Sequence, residues 1–535
     1  MRKILTVAAA VLAIACTRNH QGVQPPMMGW ASWNAFMIDI SDTLIMQQAD
    51  LMVSTGLADA GYTYINIDDG HFGFRDAFGN MTANPVRFPG GMRAVTDHIH
   101  SLGLKAGIYS DAGDNTCGSG WNGDVYGMGA GLWEHEIQDA QLYFNDWEFD
   151  YIKIDFCGGN HLKLNTAERY LKIRRVIDSV AVNPVRINAC RWHYPGTWIP
   201  QAADSWRISG DIFPEWRSVK YVMDKNMYLS AYTGGGKYND MDMLVVGYAN
   251  KRSGLNRGAG LTFAEEEAHF GLWCIMSSPL MLGFDLAYLP EDTRTLITNP
   301  ELLAVNQDPL GIQPEVVQHE GDGYVLVKDL KTPRGPERAV ALYNPSDEPV
   351  NFEVPLETLG YAGSIEVRDL VRREDLGRTD CLQLEVPAHY AKILRIKGAK
   401  RVEPSVYEAE WGFIPAYNDI ELGGAKYVKA EDASCGAAVK GLGGTEENCL
   451  QWRNVYRGRG GKCTLALRYQ SEAPCEVILK VNGAAQTVQL PATEGFAEVS
   501  LKAILKKGDN VVEIASPTAE IPAVIDLLHI SLKNR

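Results

Sequence analysis

Between about residue 28 and residue 300, short apolar runs alternate with longer stretches of helical period, and this alternation constrains the fold more than any other feature of the chain. The runs are MGWASW, YTYINIDD, LKAGIYSD, DYIKIDF, VRINAC, SWRISGD, YNDMDML and SPLMLG. Strands that each lead into a helix form parallel βα units, and eight such units close into a (β/α)8 TIM barrel, placed here over residues 27–305. Between the strands lie segments such as DTLIMQQADLMVSTGLADAG, where Leu44, Met46, Leu51, Met52 and Leu57 recur near helical spacing before Gly61 restarts a strand. Thr262 and Glu265 stand at capping-box spacing ahead of another helix.

Polar residues gather at the ends of these apolar runs: Asp68 and Asp69, Tyr109 and Asp111, Asp155, Cys190, Asp211 and Asp242. Taken singly, each could cap the following helix or satisfy a turn. Their recurrence across most of the strands points instead to a convergent site at the C-terminal rim, where barrel active sites sit.

A chain of 535 residues exceeds what one core spans, so further domains are expected. From 310 to 398 the pattern becomes alternating strands with short turns (GYVLVKDL, ERAVALYNPS, SIEVRDL, HYAKILRI), which reads as an antiparallel β-sandwich. The polar stretch KGAKRVEPS is a linker to a second, all-β C-terminal segment over 406–535. The fold class is therefore α/β, a barrel followed by two β-sandwiches.

A net charge of -15, with no basic run to offset it, excludes nucleic acid as a partner. The opening MRKILTVAAAVLAIAC sets two cations before an apolar run too short to span a bilayer. Residues 1–16 read as an export signal, and Ala13-Ile14-Ala15-Cys16 resembles a bacterial lipobox that would leave a lipid anchor on Cys16; ordinary cleavage that discards Cys16 is the alternative. The expectation is an exported bacterial protein, periplasmic or held at the outer membrane or cell surface. The ten cysteines form no CxxC pair, which argues against a zinc ribbon, and export permits disulfides whose connectivity spacing alone does not give.

Retaining cleavage of a glycosidic bond needs two carboxyl groups about 5 to 5.5 Å apart, a nucleophile and a proton donor. Lys153 and Asp155, two residues apart on one strand, face the same way, and the cation would keep the carboxylate ionised. Asp211 follows Arg207 and Gly210 two strands later, and partial burial beside a second negative charge would hold its proton. Without further information the two roles could be exchanged, and Lys153 with Asp155 could be only a structural pair.

The strings MGWASWN, INIDDGH, KAGIYSDAGDNTC, YIKIDFCGGN, WRISGDI and NDMDMLVVG resemble, in order, the signature segments of glycoside hydrolase family 27, the α-galactosidases and α-N-acetylgalactosaminidases, over about residues 27–398. The resemblance implies that Asp155 is the nucleophile and Asp211 the acid/base, with no cofactor for catalysis. It implies that Asp68, Asp69, Lys153 and Arg207 grip sugar hydroxyls, and that Trp33, Tyr109 and Met243 form apolar walls around a galactose-containing oligosaccharide or glycan. It pairs Cys117 with Cys157 in a disulfide at the edge of the site, where Cys117 also meets the substrate, and it brings Cys190, Arg191 and Trp192 to the sugar near its 2-position. Arg191 departs from the family, where Glu is frequent, and so does Tyr238, where Trp is usual. Asp68 is the residue of enzymes that prefer galactose over β-L-arabinopyranose. The expected activity is that of a retaining exo-α-galactosidase; the alternatives are α-N-acetylgalactosaminidase, β-L-arabinopyranosidase, α-glucan hydrolase, or a non-enzymatic surface glycan-binding lipoprotein.

The segment from 406 onward, with YEAEWGF, GGTEENCLQWRNV and VIDLLHISL, resembles β-sandwich carbohydrate-binding modules of families 6 and 35. That resemblance implies a structural calcium on Glu408, Glu410 and Asp526, whose hard oxygen ligands suit the ion. The module could equally serve only to pack against the catalytic part. Trp452, alternating with apolar neighbours, reads as core.

Overall fold

The structure, a computed structural model, describes residues 23–248, 259–420 and 423–532; the export signal and Cys16 lie outside the described residues. Eight strands, β1 (Met28–Ala31), β2 (Tyr64–Asn66), β3 (Lys105–Asp111), β4 (Tyr151–Asp155), β5 (Arg186–Ala189), β6 (Ser205–Arg207), β7 (Tyr238–Asp240) and β8 (Leu280–Leu282), form one parallel sheet in the order β7-β6-β5-β4-β3-β2-β1-β8. The ring closes through the segment after β7, where Leu244 bridges Leu282 and its amide donates to Met281 O at 2.7 Å.

Strand alternation sorts the side chains. On β4, Ile152 and Ile154 belong to the large core shared with the outer helices, whereas Tyr151 joins Ala31, Tyr64, Met243 and Met281 in a small inner cluster. Lys153 and Asp155 share the inward parity of Tyr151, and register sets Tyr109 opposite Lys153 and Asp111 opposite Asp155. One strand thus delivers two charges to the barrel mouth.

The helix Asp42–Ser54 begins on Ser41, whose hydroxyl accepts from Leu44 N at 3.2 Å. Its buried stripe is Ile45, Ala49 and Met52; Leu44, Met46 and Leu51 lie at its partly buried margin, so the expected stripe is displaced by about one residue. The capping box forms at the helix Phe263–Ile275: Thr262 Oγ1 accepts from Glu265 N at 3.3 Å, and Glu265 Oε2 accepts from Thr262 N at 2.8 Å.

That helix packs on the first antiparallel part, six strands from Glu315–Glu320 to Tyr390–Gly398 with a second two-stranded sheet, Val350–Pro355 with Cys381–Val386. Arg372 and Glu267 pair across the contact at 2.7 Å. From Val406 to Leu532 two further antiparallel sheets follow, with Trp452 buried between them as core. This last part meets the barrel through tyrosines. Tyr417 stacks on Tyr194 (5.4 Å between centroids) and on Tyr232 (5.1 Å), and Asp419 N donates to Tyr194 O at 2.9 Å. Among the described residues no helix is long and apolar enough to cross a membrane.

Candidate active site

A cavity of about 540 Å³ opens at the C-terminal rim of the barrel. It is lined by Trp33, Asp68, Asp69, Tyr109, Cys117, Lys153, Asp155, Trp192, Arg207, Asp211 and Met243 among the residues expected from sequence, and also by Asn34, Trp121, Cys157, Asn160, Gly210 and Asp242.

Asp155 ends β4 and is buried. Burial raises its pKa above the ordinary value; the charge of Lys153 opposes the shift and Asp68 adds to it. The expected rescue by Lys153 is therefore partial, because the Lys153 ammonium makes its ion pair with Asp68 Oδ2, at 3.0 Å, and shares its charge between two carboxylates. For Lys153 the balance is reversed: desolvation opposes its charge, but Asp68 and Asp155 together hold its pKa well above the usual range. Asp155 Oδ1 is buried and makes no hydrogen bond among the described residues.

Asp211 lies beyond β6, where its side chain is 50% exposed, more open than the expected partial burial, and it accepts from Arg207 Nη2 at 3.1 Å. The same guanidinium nitrogen reaches Asp242 Oδ2 at 2.9 Å, and Nη1 approaches Cys190 Sγ at 3.8 Å. Asp242 sits in a left-handed backbone conformation (φ 73°), and its carboxylate also accepts from the amides of Ile212 (2.8 Å) and Met243 (2.8 Å), tying the loops after β6 and β7 together. Burial pushes Asp242 up to about 6 against the opposing charge of Arg207. A Cβ on Gly210 would meet only Tyr221 Oη, at 3.9 Å, so the space beside Asp211 is open.

The other strand-end acids divide by role. Asp69, pushed up to about 7 mainly by burial, accepts from Gly118 N at 2.7 Å and Gly70 N at 2.8 Å, yet still borders the cavity. Asp111 is outside the lining; it accepts from the amides of Cys157 (2.6 Å), Gly158 (3.0 Å) and Gly113 (2.7 Å), and burial raises it to about 8. It holds the first turn of the helix Cys157–His161 against the loop after β3. The Cys117–Cys157 disulfide closes the same junction. A Cβ at Gly113 would lie 1.9 Å from Gly158 C, so the loops approach this closely only because of glycine.

Two expected substrate contacts fall elsewhere. Cys190, buried, is outside the lining and contacts the Arg207 guanidinium and Asp155. Arg191 is turned away: its guanidinium lies over the Phe156 ring at 4.9 Å and its Nε donates to Thr166 Oγ1 at 3.4 Å. The flat guanidinium gains more from an aromatic face than from a cavity already holding two cations. Tyr238 is buried in the barrel wall, its hydroxyl donating to Gln24 O at 2.6 Å.

In the C-terminal part, Glu408 and Glu410 are buried, with Cys435 beside them. Glu408 Oε2 and both Glu410 carboxylate oxygens have no hydrogen-bond partner among the described residues. Asp526, the third expected acid, raises the pKa of both glutamates by its charge; it is paired with Arg468 from a neighbouring strand and accepts from Ser434 N at 3.0 Å, while Ser434 Oγ donates to Glu408 Oε1 at 3.0 Å.

Asn34, Asp242, Trp121 and Asn160 are the cavity residues that sequence reasoning left without a role. Asp242 carried a signal as a strand-end acid. Trp121 and Asn160 stand four and three residues beyond the two bridged cysteines, and that spacing carries them to the mouth on short turns.

Residues 25–308 match the family model described as alpha galactosidase A, and residues 320–396 match that of the alpha galactosidase C-terminal beta sandwich domain. An alpha-galactosidase A of Cellvibrio japonicus is 35% identical over 417 residues, covering 73% of this chain and 96% of the relative. The crystal structure of alpha-galactosidase I from Mortierella vinacea superposes with a TM-score of 0.63 at 28% identity, covering 72% of this chain and all of that one. A family 27 β-L-arabinopyranosidase from Geobacillus stearothermophilus gives a TM-score of 0.60 at 26% identity, covering 70% of this chain and 97% of that one.

Proposed function

Because the chain belongs to glycoside hydrolase family 27, whose two-domain pattern it matches over 25–308 and 320–396, we propose that it is a retaining α-galactosidase releasing terminal, non-reducing α-linked galactose. The observation that carries the reading is the pairing of Asp155, with one buried oxygen free of protein hydrogen bonds, and the half-exposed Asp211 in a single cavity.

Asp155 attacks the anomeric carbon while Asp211 gives its proton to the departing glycosidic oxygen, leaving a covalent glycosyl-enzyme and the freed alcohol. Asp211, now ionised, takes a proton from water; the hydroxide attacks the same carbon, Asp155 leaves, and galactose departs with its configuration retained. Asp68, Asp69 and Lys153 offer acceptors and a donor to the sugar hydroxyls, and Trp33, Tyr109 and Met243 receive its C–H faces. Asp68 supports galactose over β-L-arabinopyranose. Arg191, lying on Phe156, brings no charge to the cavity lining, so its departure from the family pattern is compatible with galactose.

The leader supports export and an acylated Cys16. Glu408 and Glu410, with buried and unpartnered oxygens, suit a hard divalent cation such as calcium with a structural role, and Asp526 would orient Arg468 rather than bind.

Hydrolysis of nitrophenyl α-galactoside tests the reading. Asp155→Asn and Asp211→Asn are each expected to lose roughly 10³-fold or more in kcat. Azide should restore Asp211→Asn with an α-galactosyl azide as product and Asp155→Asn with the β-anomer. Wild-type protein that cleaves no α-galactoside but another glycoside of a nitrophenyl panel would overturn the substrate; cleaving none at all would favour a glycan-binding protein.

A further inference from the structure

Trp121 is the largest side chain left open on the barrel rim, 82% exposed although it lines the cavity. Leaving an indole in water forfeits burial worth about 2–3 kcal/mol, and the residue is not at a loose chain end. It closes the helix Cys117–Trp121, which is fixed by the disulfide to Cys157, by Gly118 N donating to Asp69 at 2.7 Å, and by Ser119 N donating to Thr116 Oγ1 at 3.3 Å. Across the disulfide, the exposed Asn160 on the helix Cys157–His161 borders the same cavity.

Resting on the α-galactosidase reading, we infer that Trp121 and Asn160 form a leaving-group subsite that binds the sugar ring to which galactose is attached. The depth of the cavity holds the buried charges Asp68, Asp155 and Arg207 and the part-buried Lys153, which suit the hydroxyl-rich galactose. The half-exposed Asp211 marks where the leaving oxygen is protonated, so whatever carries that oxygen extends toward solvent. There the protein presents an indole face and an amide. An indole takes the C–H face of a pyranose, and an amide both donates to and accepts from its hydroxyls. The pair thus specifies a second sugar ring, in a di- or oligosaccharide, in preference to a small or purely lipidic aglycone.

The experiment compares two substrates that share the galactosyl group and differ in the leaving group: α-galactosyl fluoride, whose leaving group is too small to reach Trp121, and a galactosyl-α-1,6-glucose disaccharide. For Trp121→Ala, kcat/KM on the disaccharide should fall about tenfold, carried by KM, while that on the fluoride falls by at most about twofold. Trp121→Phe should recover most of the loss, and Asn160→Ala should show the same asymmetry at about threefold. Equal losses on both substrates, or none on the disaccharide, overturn the subsite. If the wild type cleaves neither substrate, the galactosidase reading falls, and calorimetric binding still decides the subsite. Trp121→Ala must then weaken the disaccharide and spare free galactose; if it weakens both alike, or neither, the subsite falls as well.

Discussion

The barrel rim and the C-terminal module each bury a cluster of acids, and they solve the same electrostatic problem differently. At the rim, Lys153 lies between Asp68 and Asp155, and Arg207 between Asp211 and Asp242, so fixed cations are interleaved with the carboxylates and the remaining oxygens face a cavity. In the module, Arg468 pairs with Asp526 and its charge also reaches Glu408, but Glu410 keeps two buried oxygens without a protein partner among the described residues. Burial first, and then Glu408, holds Glu410 well above the usual carboxylate range. A buried carboxylate needs a counter-charge or a proton. The rim carries its counter-charges in the sequence and leaves its acceptors to a sugar, whereas among the described residues the module pairs no cation with Glu410.

Removing the fixed cation should break the rim most severely. Lys153→Met leaves Asp68 and Asp155 buried without their shared partner, and a loss of about 3–5 kcal/mol is expected in chemical denaturation, with the acid limb of the activity profile moved to higher pH. A loss under about 1 kcal/mol would mean that the rim acids rely on solvent instead. In the module the corresponding lever is external. Calcium at about a hundredfold over its dissociation constant should stabilise the protein by about 2.7 kcal/mol in thermal melts, and Glu410→Gln should abolish that response. An identical melt in calcium and in chelator would show that the glutamates are simply protonated.

A weaker effect separates the clusters by pH. Asp69, Asp111 and Asp242 stand at about 7, 8 and 6 in the folded protein against an ordinary 3.8. The folded state therefore holds protons that the unfolded state has released, so their contribution is complete below about pH 4 and is lost as pH rises through 6 to 8. Melting temperature in chelator should decline over that range, and Asp69→Asn should flatten the decline. The smallest effect is expected at Arg191. Arg191→Glu should change the preference for galactoside over N-acetylgalactosaminide by less than about threefold, because the side chain packs on Phe156 outside the cavity lining. A larger shift in a nitrophenyl glycoside panel would mean that the residue reaches the sugar.

Much of the barrel was legible because its signals are periodic. The apolar runs identified eight strands, two-residue spacing put Lys153 and Asp155 on one side of β4, and Thr262 with Glu265 marked a helix start that forms as expected. Partner choice was not legible. Lys153 pairs with Asp68 from a neighbouring loop, and Asp526 pairs with Arg468 from a neighbouring strand. Several residues within reach of each charge compete, and three-dimensional distance decides among them.

The sequence by itself determined the order of strands, the parity of their side chains and the acids delivered to their ends, since these depend on local periodicity and chain direction. Only the tertiary structure decided which acids share a cavity, which merely hold a helix, as Asp111 does, and which indole remains in water, as Trp121 does. Those outcomes depend on loops brought together from distant parts of the chain, where burial and charge pairing act on neighbours that no local pattern names.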